Sequence, residues 1–142
     1  MRLSRFTDIG LRALMYAGAR GRRVSSGEIA EAFGISQDHV IKSLQALVGL
    51  GAMDSKPGRN GGYALDTDPG RLRLGEVVRK LEPSLQMAEC FGPESRCPLT
   101  QSCELSTALG RAQSAFFDAL DEYTVADLIE GTRDPLVQLV PA

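Results

Sequence analysis

The stretch from Ser25 to Leu44, SSGEIAEAFGISQDHVIKSL, decides the fold. Ser25 is followed three residues later by Glu28, the spacing of a capping box that satisfies the first free N–H groups of a helix. The helix it opens covers Glu28 to Phe33 and stops at Gly34, which adopts a left-handed backbone without steric cost. Ser36 then stands as N-cap of a second helix. Val40, Ile41, Leu44, Leu47 and Val48 lie along one side of it, and Asp38, His39, Lys42, Ser43 and Ala46 along the other. Two short helices joined by the tight turn from Ala32 to Ser36 predict a helix-turn-helix.

The flanking segments extend this reading. Upstream, Phe6, Ile9, Leu11, Ala13, Leu14 and Ala17 recur near helical spacing, predicting a helix from Phe6 to Ala19 that Gly21-Arg22-Arg23 ends. Downstream, Ala52 to Ser55 is a short strand, residues 56–62 form a turn rich in Gly and Asn, and Tyr63-Ala64-Leu65 is the returning strand. A hairpin in this position is a wing. Its tip carries Lys56 and Arg59, placed for phosphate or minor-groove contact.

Leu74 to Leu81 predicts a further helix, ending before Pro83. Residues 84–103 are irregular and hold all three cysteines. Beyond them Leu105, Ala108, Leu109, Ala112, Phe116, Ala119, Leu120 and Tyr123 form a long apolar stripe at helical spacing. A head this small offers such a helix little to pack on, so a second copy of the chain is its natural partner. Gly110 interrupts the stripe at a propensity cost of about 1 kcal/mol, to be offset by close approach of another helix. Thr124 to Asp127 forms a second capping box, opening a terminal helix to about Glu130.

The fold class is therefore mainly α: a winged helix-turn-helix with a small β-hairpin wing and a long C-terminal dimerisation helix. Four regions are expected: a DNA-binding head at 1–82, a cysteine-rich loop at 83–104, dimerisation and terminal helices at 105–131, and a tail at 132–142.

Composition agrees with this division. The 142 residues are 43% hydrophobic and 24% charged, as in a globular domain, and no segment approaches a membrane span in length. The first residues run into the first helix without a signal-peptide core, so a cytoplasmic protein with reduced thiols is expected. The formal net charge is only -2, but it is unevenly placed. Residues 1–82 carry 13 Lys/Arg against 9 Asp/Glu, and residues 83–142 carry 3 against 9. A basic half suits phosphate and an acidic half faces away from it.

Two groups of residues could carry function. Ser36, Gln37, Asp38, His39 and Lys42 occupy the open, N-terminal side of the second helix, which in a helix-turn-helix enters the major groove. Gln37 can bond adenine, Asp38 can accept from cytosine, and Lys42 can donate to guanine or a phosphate. The second group is Cys90, Cys97 and Cys103. Soft thiolates suit zinc or an iron–sulfur cluster. A zinc ribbon needs a close pair two residues apart and a fourth ligand nearby, and neither is present. Spacings of six and five residues in a loop containing Gly and Pro allow the chain to wrap a larger object. With no histidine near the cysteines to act as base, and no phosphate-binding or hydrolase motif, an enzyme is not expected.

The start Met1 to Asp8, the wing Gly58-Arg59-Asn60-Gly61-Gly62, the cysteine loop and the segment Tyr123 to Leu128 together resemble the Rrf-two family of iron–sulfur winged-helix regulators. The resemblance spans residues 1 to about 130. It implies a homodimer on operator DNA, with a cluster held by Cys90, Cys97 and Cys103 between head and dimerisation helix. One branch of the family has a histidine three residues after its last cysteine, where this chain has Ser106. The nitric-oxide-sensing branch has an aspartate at the position of Asp8, which makes Asp8 the candidate fourth ligand, supplied across the dimer, and 4Fe-4S the implied cluster, with 2Fe-2S the alternative. Asp8 also fits simple first-turn helix electrostatics. Met87 to Phe91 and Cys97-Pro98-Leu99 resemble an iron-responsive branch, which has asparagine in place of Asp8. A cluster-free thiol or zinc switch using the same cysteines is the alternative of a different class, and a dimeric module binding a protein through its acidic half is a third.

Overall fold

The computed structural model describes residues 2–99 and 102–139. Met1 of the N-terminal motif, residues 100–101 of the cysteine loop and the last three residues of the tail lie outside them. Six α-helices and one two-stranded antiparallel hairpin make up the described chain, as the sequence predicts.

Helix α1 (Arg5–Arg20) is the central element. The Ser4 hydroxyl caps it by accepting from the Thr7 N–H at 3.2 Å, and its buried face presents Ile9, Ala13, Leu14, Tyr16 and Ala17. Helix α2 (Ser26–Phe33) is capped by Ser25, which accepts from the Glu28 N–H at 3.0 Å. Only half of the expected capping box forms, because the Glu28 carboxylate turns away to Tyr16 and Arg22. At its other end Gly34 has φ +61°, and the Ile35 N–H reaches back to the Ala30 carbonyl at 2.9 Å. This is a Schellman closure, and it sets the turn angle into α3.

Helix α3 (Gln37–Gly49) packs Val40, Leu44 and Leu47, all fully buried, onto α1 and α2. One expectation holds only in part here, and another fails. Ser36 occupies the N-cap position without a side-chain capping bond. Ser43, assigned to the open side, is buried and donates to the Phe6 carbonyl at 3.1 Å. A hydroxyl among apolar neighbours needs such a partner, so Ser43 fastens α3 to the start of α1.

The wing pairs β1 (Met53–Lys56) with β2 (Gly62–Leu65), Met53 opposite Leu65 and Lys56 opposite Gly62. Its base is extended by Val24, which exchanges backbone bonds of 2.8 and 2.9 Å with Tyr63. Gly62 is required at this junction: its φ is +117°, and a Cβ would stand 2.6 Å from the Val24 carbonyl oxygen.

Helix α4 (Leu74–Leu81) follows, then the cysteine loop, then α5 (Glu104–Asp121) and α6 (Val125–Gln138). The Thr124–Asp127 capping box at the start of α6 forms on both sides. The helix then continues past Glu130 to Gln138, through Pro135. Val125, Ile129 and Leu136 are buried, and α6 makes the most extensive helix contact of α1. Backbone bonds of 2.9 Å from Leu74 to Tyr123 and from Val125 to Leu72 stitch the α5–α6 turn to the start of α4. The segment after α5 therefore completes the head.

Candidate nucleic-acid interface and cysteine loop

The helix-turn-helix is braced from beneath by one polar network. The Tyr16 ring is buried, and its hydroxyl donates to Glu28 at 2.9 Å. Arg22 donates to the same carboxylate at 2.7 Å and Arg20 lies 3.5 Å from it. Burial raises the Tyr16 pKa, and its hydrogen bond to Glu28 adds to the rise. For Glu28 burial acts upward, but the hydrogen bonds from Arg22 and Tyr16 outweigh it and hold the carboxyl below its ordinary value. In the sequence, the Ser25–Glu28 spacing signals only a helix cap.

On the outer side of α3, Ser36, Gln37, Asp38, His39 and Lys42 are all exposed on one surface. Gln37 differs from the rest, because its amide donates to the Ser26 hydroxyl at 3.0 Å and so bridges α3 to α2. Among the described residues, no hydrogen bond or ion pair engages the side chains of Asp38, His39 or Lys42. Lys56 ends β1 and Arg59 stands in the wing turn, both exposed and likewise without such a partner among the described residues.

Most other cations of the head are already engaged. Arg12 pairs with Asp8 at 2.8 Å, Arg23 with Asp54, Arg79 with Asp121 at 2.8 Å and Lys80 with Glu76 at 2.7 Å. Cations without an ion-pair partner among the described residues, on the exposed side of α3 and in the wing turn, are available to a polyanion.

The cysteine loop crosses from α4 to α5 with one 3₁₀ turn, Glu89–Phe91. Cys90, Cys97 and Cys103 are each half-buried and none is in a disulfide. Among the described residues no three His, Cys, Asp or Glu side chains stand together closely enough to hold a metal ion. Asp8 stays on α1 with Arg12. Cys103 is the N-cap residue of α5, and Phe91, next to Cys90, lies against α5 at Gly110. Within the protomer, the neighbour that Gly110 admits is thus a ring of the loop.

Within α5 only Phe117 is buried, joining Leu74 and Val78 in a small second core. Phe117 was not in the predicted stripe. Leu105, Ala108, Ala112, Ala119 and Tyr123 of that stripe are exposed, and Ala115 extends their line.

Residues 3–131 match the Rrf2 (Rrf-two) family, described as iron-dependent transcriptional regulators. The chain belongs to the Rrf2 family. Its fold is also that of solved structures. IscR of T. potens superposes with a TM-score of 0.73 at 22% identity, over 100% of this chain and 94% of that one. CymR (YrzC), the global cysteine regulator of B. subtilis, gives 0.72 at 25% identity, over 93% and 98%. The oxidized form of Staphylococcus aureus CymR gives 0.71 at 24% identity, over 92% and 97%. The winged-helix architecture is therefore that of the Rrf2 regulators, which bind DNA, typically as dimers. The protein is a transcriptional regulator and not an enzyme. No helix of the described residues is long and apolar enough to cross a membrane.

Proposed function

We propose that this Rrf2 regulator is an iron–sulfur-dependent repressor of the nitric-oxide-sensing (NsrR) type, binding a roughly palindromic operator as a homodimer. The observation that carries the DNA half is the set of exposed side chains without partners on α3 and the wing. Asp38, His39 and Lys42 are offered to base edges and groove-side phosphates, with Ser36 beside them, and Lys56 and Arg59 to the backbone or minor groove. Gln37 combines a bridging role to Ser26 with its exposed position at the groove. The dimer is supported by α5, where Leu105, Ala108, Ala112, Ala115 and Ala119 recur at alternating spacings of three and four, the seam of a coiled coil. Leu105 is 65% exposed and Tyr123 53%, leaving both on the same side as the seam and free for a partner to cover.

The donor set fits an iron–sulfur cluster in its chemistry. Cys90, Cys97 and Cys103 supply three soft thiols from a loop of irregular backbone, and three thiols leave one position to an outside ligand. Asp8 from a second copy would fill it. Its present pair with Arg12 is solvent-exposed, and such a pair contributes roughly 0–1 kcal/mol, too little to hold the carboxylate back. When bound, the cluster supplies iron that nitric oxide attacks. The chain transmits the loss because Cys103 opens α5 and Phe91 rests on it, so a released loop changes the footing of the dimerisation helix. A coupling of about 1–3 kcal/mol alters operator affinity roughly 5- to 150-fold.

A second reading keeps the regulator and changes the signal. The three thiols are half-buried and unbridged without being gathered, an arrangement equally open to oxidation or zinc, or to iron status in the manner of the iron-responsive branch. An anaerobic nitric oxide titration, followed in parallel by visible absorption and operator binding, decides among them. The proposal expects a coloured protein that loses colour and operator together, and a Cys97→Ala variant without the colour. Operator release on iron chelation alone, with no response to nitric oxide, would select the iron-responsive reading. A colourless protein that responds to peroxide would select the thiol switch.

A further inference from the structure

Helices α1 and α3 enclose a recess of about 220 Å³ lined by Arg5, Phe6, Ile9, His39 and Lys42. Its floor is apolar: Ile9 is 2% exposed and Phe6 is half-buried in the main core. Its rim is cationic, with Arg5 and Lys42 both exposed and held on separate helices that the Ser43–Phe6 hydrogen bond fixes together. The carboxylate one turn along α1, Asp8, is already bound by Arg12, and among the described residues no ion pair engages Arg5 or Lys42. Two cations, neither in an ion pair among the described residues, thus stand at the mouth of an apolar recess.

We infer that this recess is a backbone clamp for the operator, in which Arg5 and Lys42 hold one phosphate and the Phe6–Ile9 floor receives the adjoining deoxyribose. The inference rests on the DNA-binding reading given above. It adds α1 to the DNA-contacting elements and assigns Lys42 to phosphate instead of guanine. A helix lying in the major groove has base edges beneath it and phosphate strands at its sides. A cation contributed from the neighbouring helix, beside α3, therefore meets the strand and not a base. Deoxyribose presents mostly C–H surface, which a small apolar floor matches and which a bare inorganic anion does not.

Contacts of this kind position without reading sequence, and each neutralised phosphate adds about 0.9 to the slope of log affinity against log salt. The test uses the full-length protein with two probes: a duplex selected by the wild-type protein from a random pool, and a mixed-sequence duplex of equal length. Arg5→Gln and Lys42→Gln are each expected to weaken both duplexes by the same factor. The Arg5→Gln/Lys42→Gln double variant should lower the magnitude of the salt slope by about 1.8 per dimer, one phosphate per protomer, and each single variant by part of that. Arg5→Lys should restore the slope. Thermal melting of R5Q should match wild type, since the Arg5 side chain is exposed and makes no bond among the described residues.

An unchanged slope in the double variant, or a loss confined to the selected duplex, overturns the clamp while leaving the DNA-binding reading intact. A wild-type protein that binds neither duplex overturns that reading itself. If inorganic phosphate binds wild type but not R5Q and, at matched ionic strength, leaves the duplex in place, the recess is a free-anion site and the clamp is wrong.

Discussion

The ring of Phe91 lies 3.7 Å from where a Cβ on Gly110 would stand. The residue after the first loop cysteine thus rests on the waist of α5, and this contact is ordinary van der Waals packing with room for one methyl group. Gly110→Ala is expected to raise stability by about 1 kcal/mol through helix propensity alone. Phe91→Ala is expected to loosen the loop and speed alkylation of Cys90 by a thiol reagent. Thermal melts and timed labelling with mass spectrometry check both. A destabilised G110A would mean that another chain, not Phe91, approaches α5 here.

Ala112 sits on the exposed side of α5, away from the head. Ala112→Glu disturbs nothing inside the protomer, so its melting should change little under conditions that keep the wild type monomeric. At the centre of a helix seam the same charge would be buried without a partner, at several kcal/mol. Sedimentation of A112E is expected to give a monomer where wild type gives a dimer. A dimer of unchanged affinity would place the interface elsewhere.

The Tyr16–Glu28–Arg22 network predicts two limbs in the pH dependence of folding. Glu28 titrates below its ordinary value of 4.5, so its contribution is complete above that pH and is lost as the pH falls through the folded value. Tyr16 titrates above its ordinary value of 10.0, so its contribution is complete below that pH and is lost as the pH rises further. Glu28→Gln should cost about 1–3 kcal/mol at neutral pH, the range for a partner withdrawn from a buried polar group. The difference from wild type should shrink in acid. Urea titrations at several pH values measure this directly.

A Cβ on Gly75 would overlap the carboxylate of Asp121, which Arg79 holds at 2.8 Å. Gly75→Ala should therefore push α4 off α5 and cost about 1–3 kcal/mol. Removing the obstacle should recover part of that. The G75A/D121A double variant is expected to be less destabilised than the sum of the single ones, a coupling that a double-mutant cycle reads. Simple additivity would show that the two helices do not meet at this point.

The elements legible in advance were those governed by local rules. The Gly34 turn, the buried side of α3, the Gly61-Gly62 corner of the wing and the Thr124 cap each follow from what a few adjacent residues permit. What sequence hid depends on distant partners. Ser43 reads as an exposed polar residue until the Phe6 carbonyl is brought to it. Glu28 reads as a capping acid until Tyr16 and Arg22 claim it from α1 and the turn that follows. Pro135 argues against a helix beyond Glu130, yet α6 continues because Leu136 finds the core and Arg20 and Arg133 bridge α6 and the end of α1 through backbone carbonyls. At the candidate site, the open side of α3 was readable from spacing, whereas Arg5 could be joined to Lys42 only by the packing of two helices.

The return of α6 onto α1 has a mechanical consequence. The chain leaves the head at α4, passes through the cysteine loop and α5, and is tied back to the same head by the Leu72–Val125 stitch and by α6. Helix α5 is thus a beam pinned at one end, with the loop as an adjustable spacer at the other. Lengthening or shortening that spacer cannot set the beam adrift. On the dimeric reading proposed above it would pivot the beam about the Tyr123 end, turning a local change at three thiols into an angle between two heads. By the same geometry, a protease that nicks the loop should leave both fragments associated on a native gel.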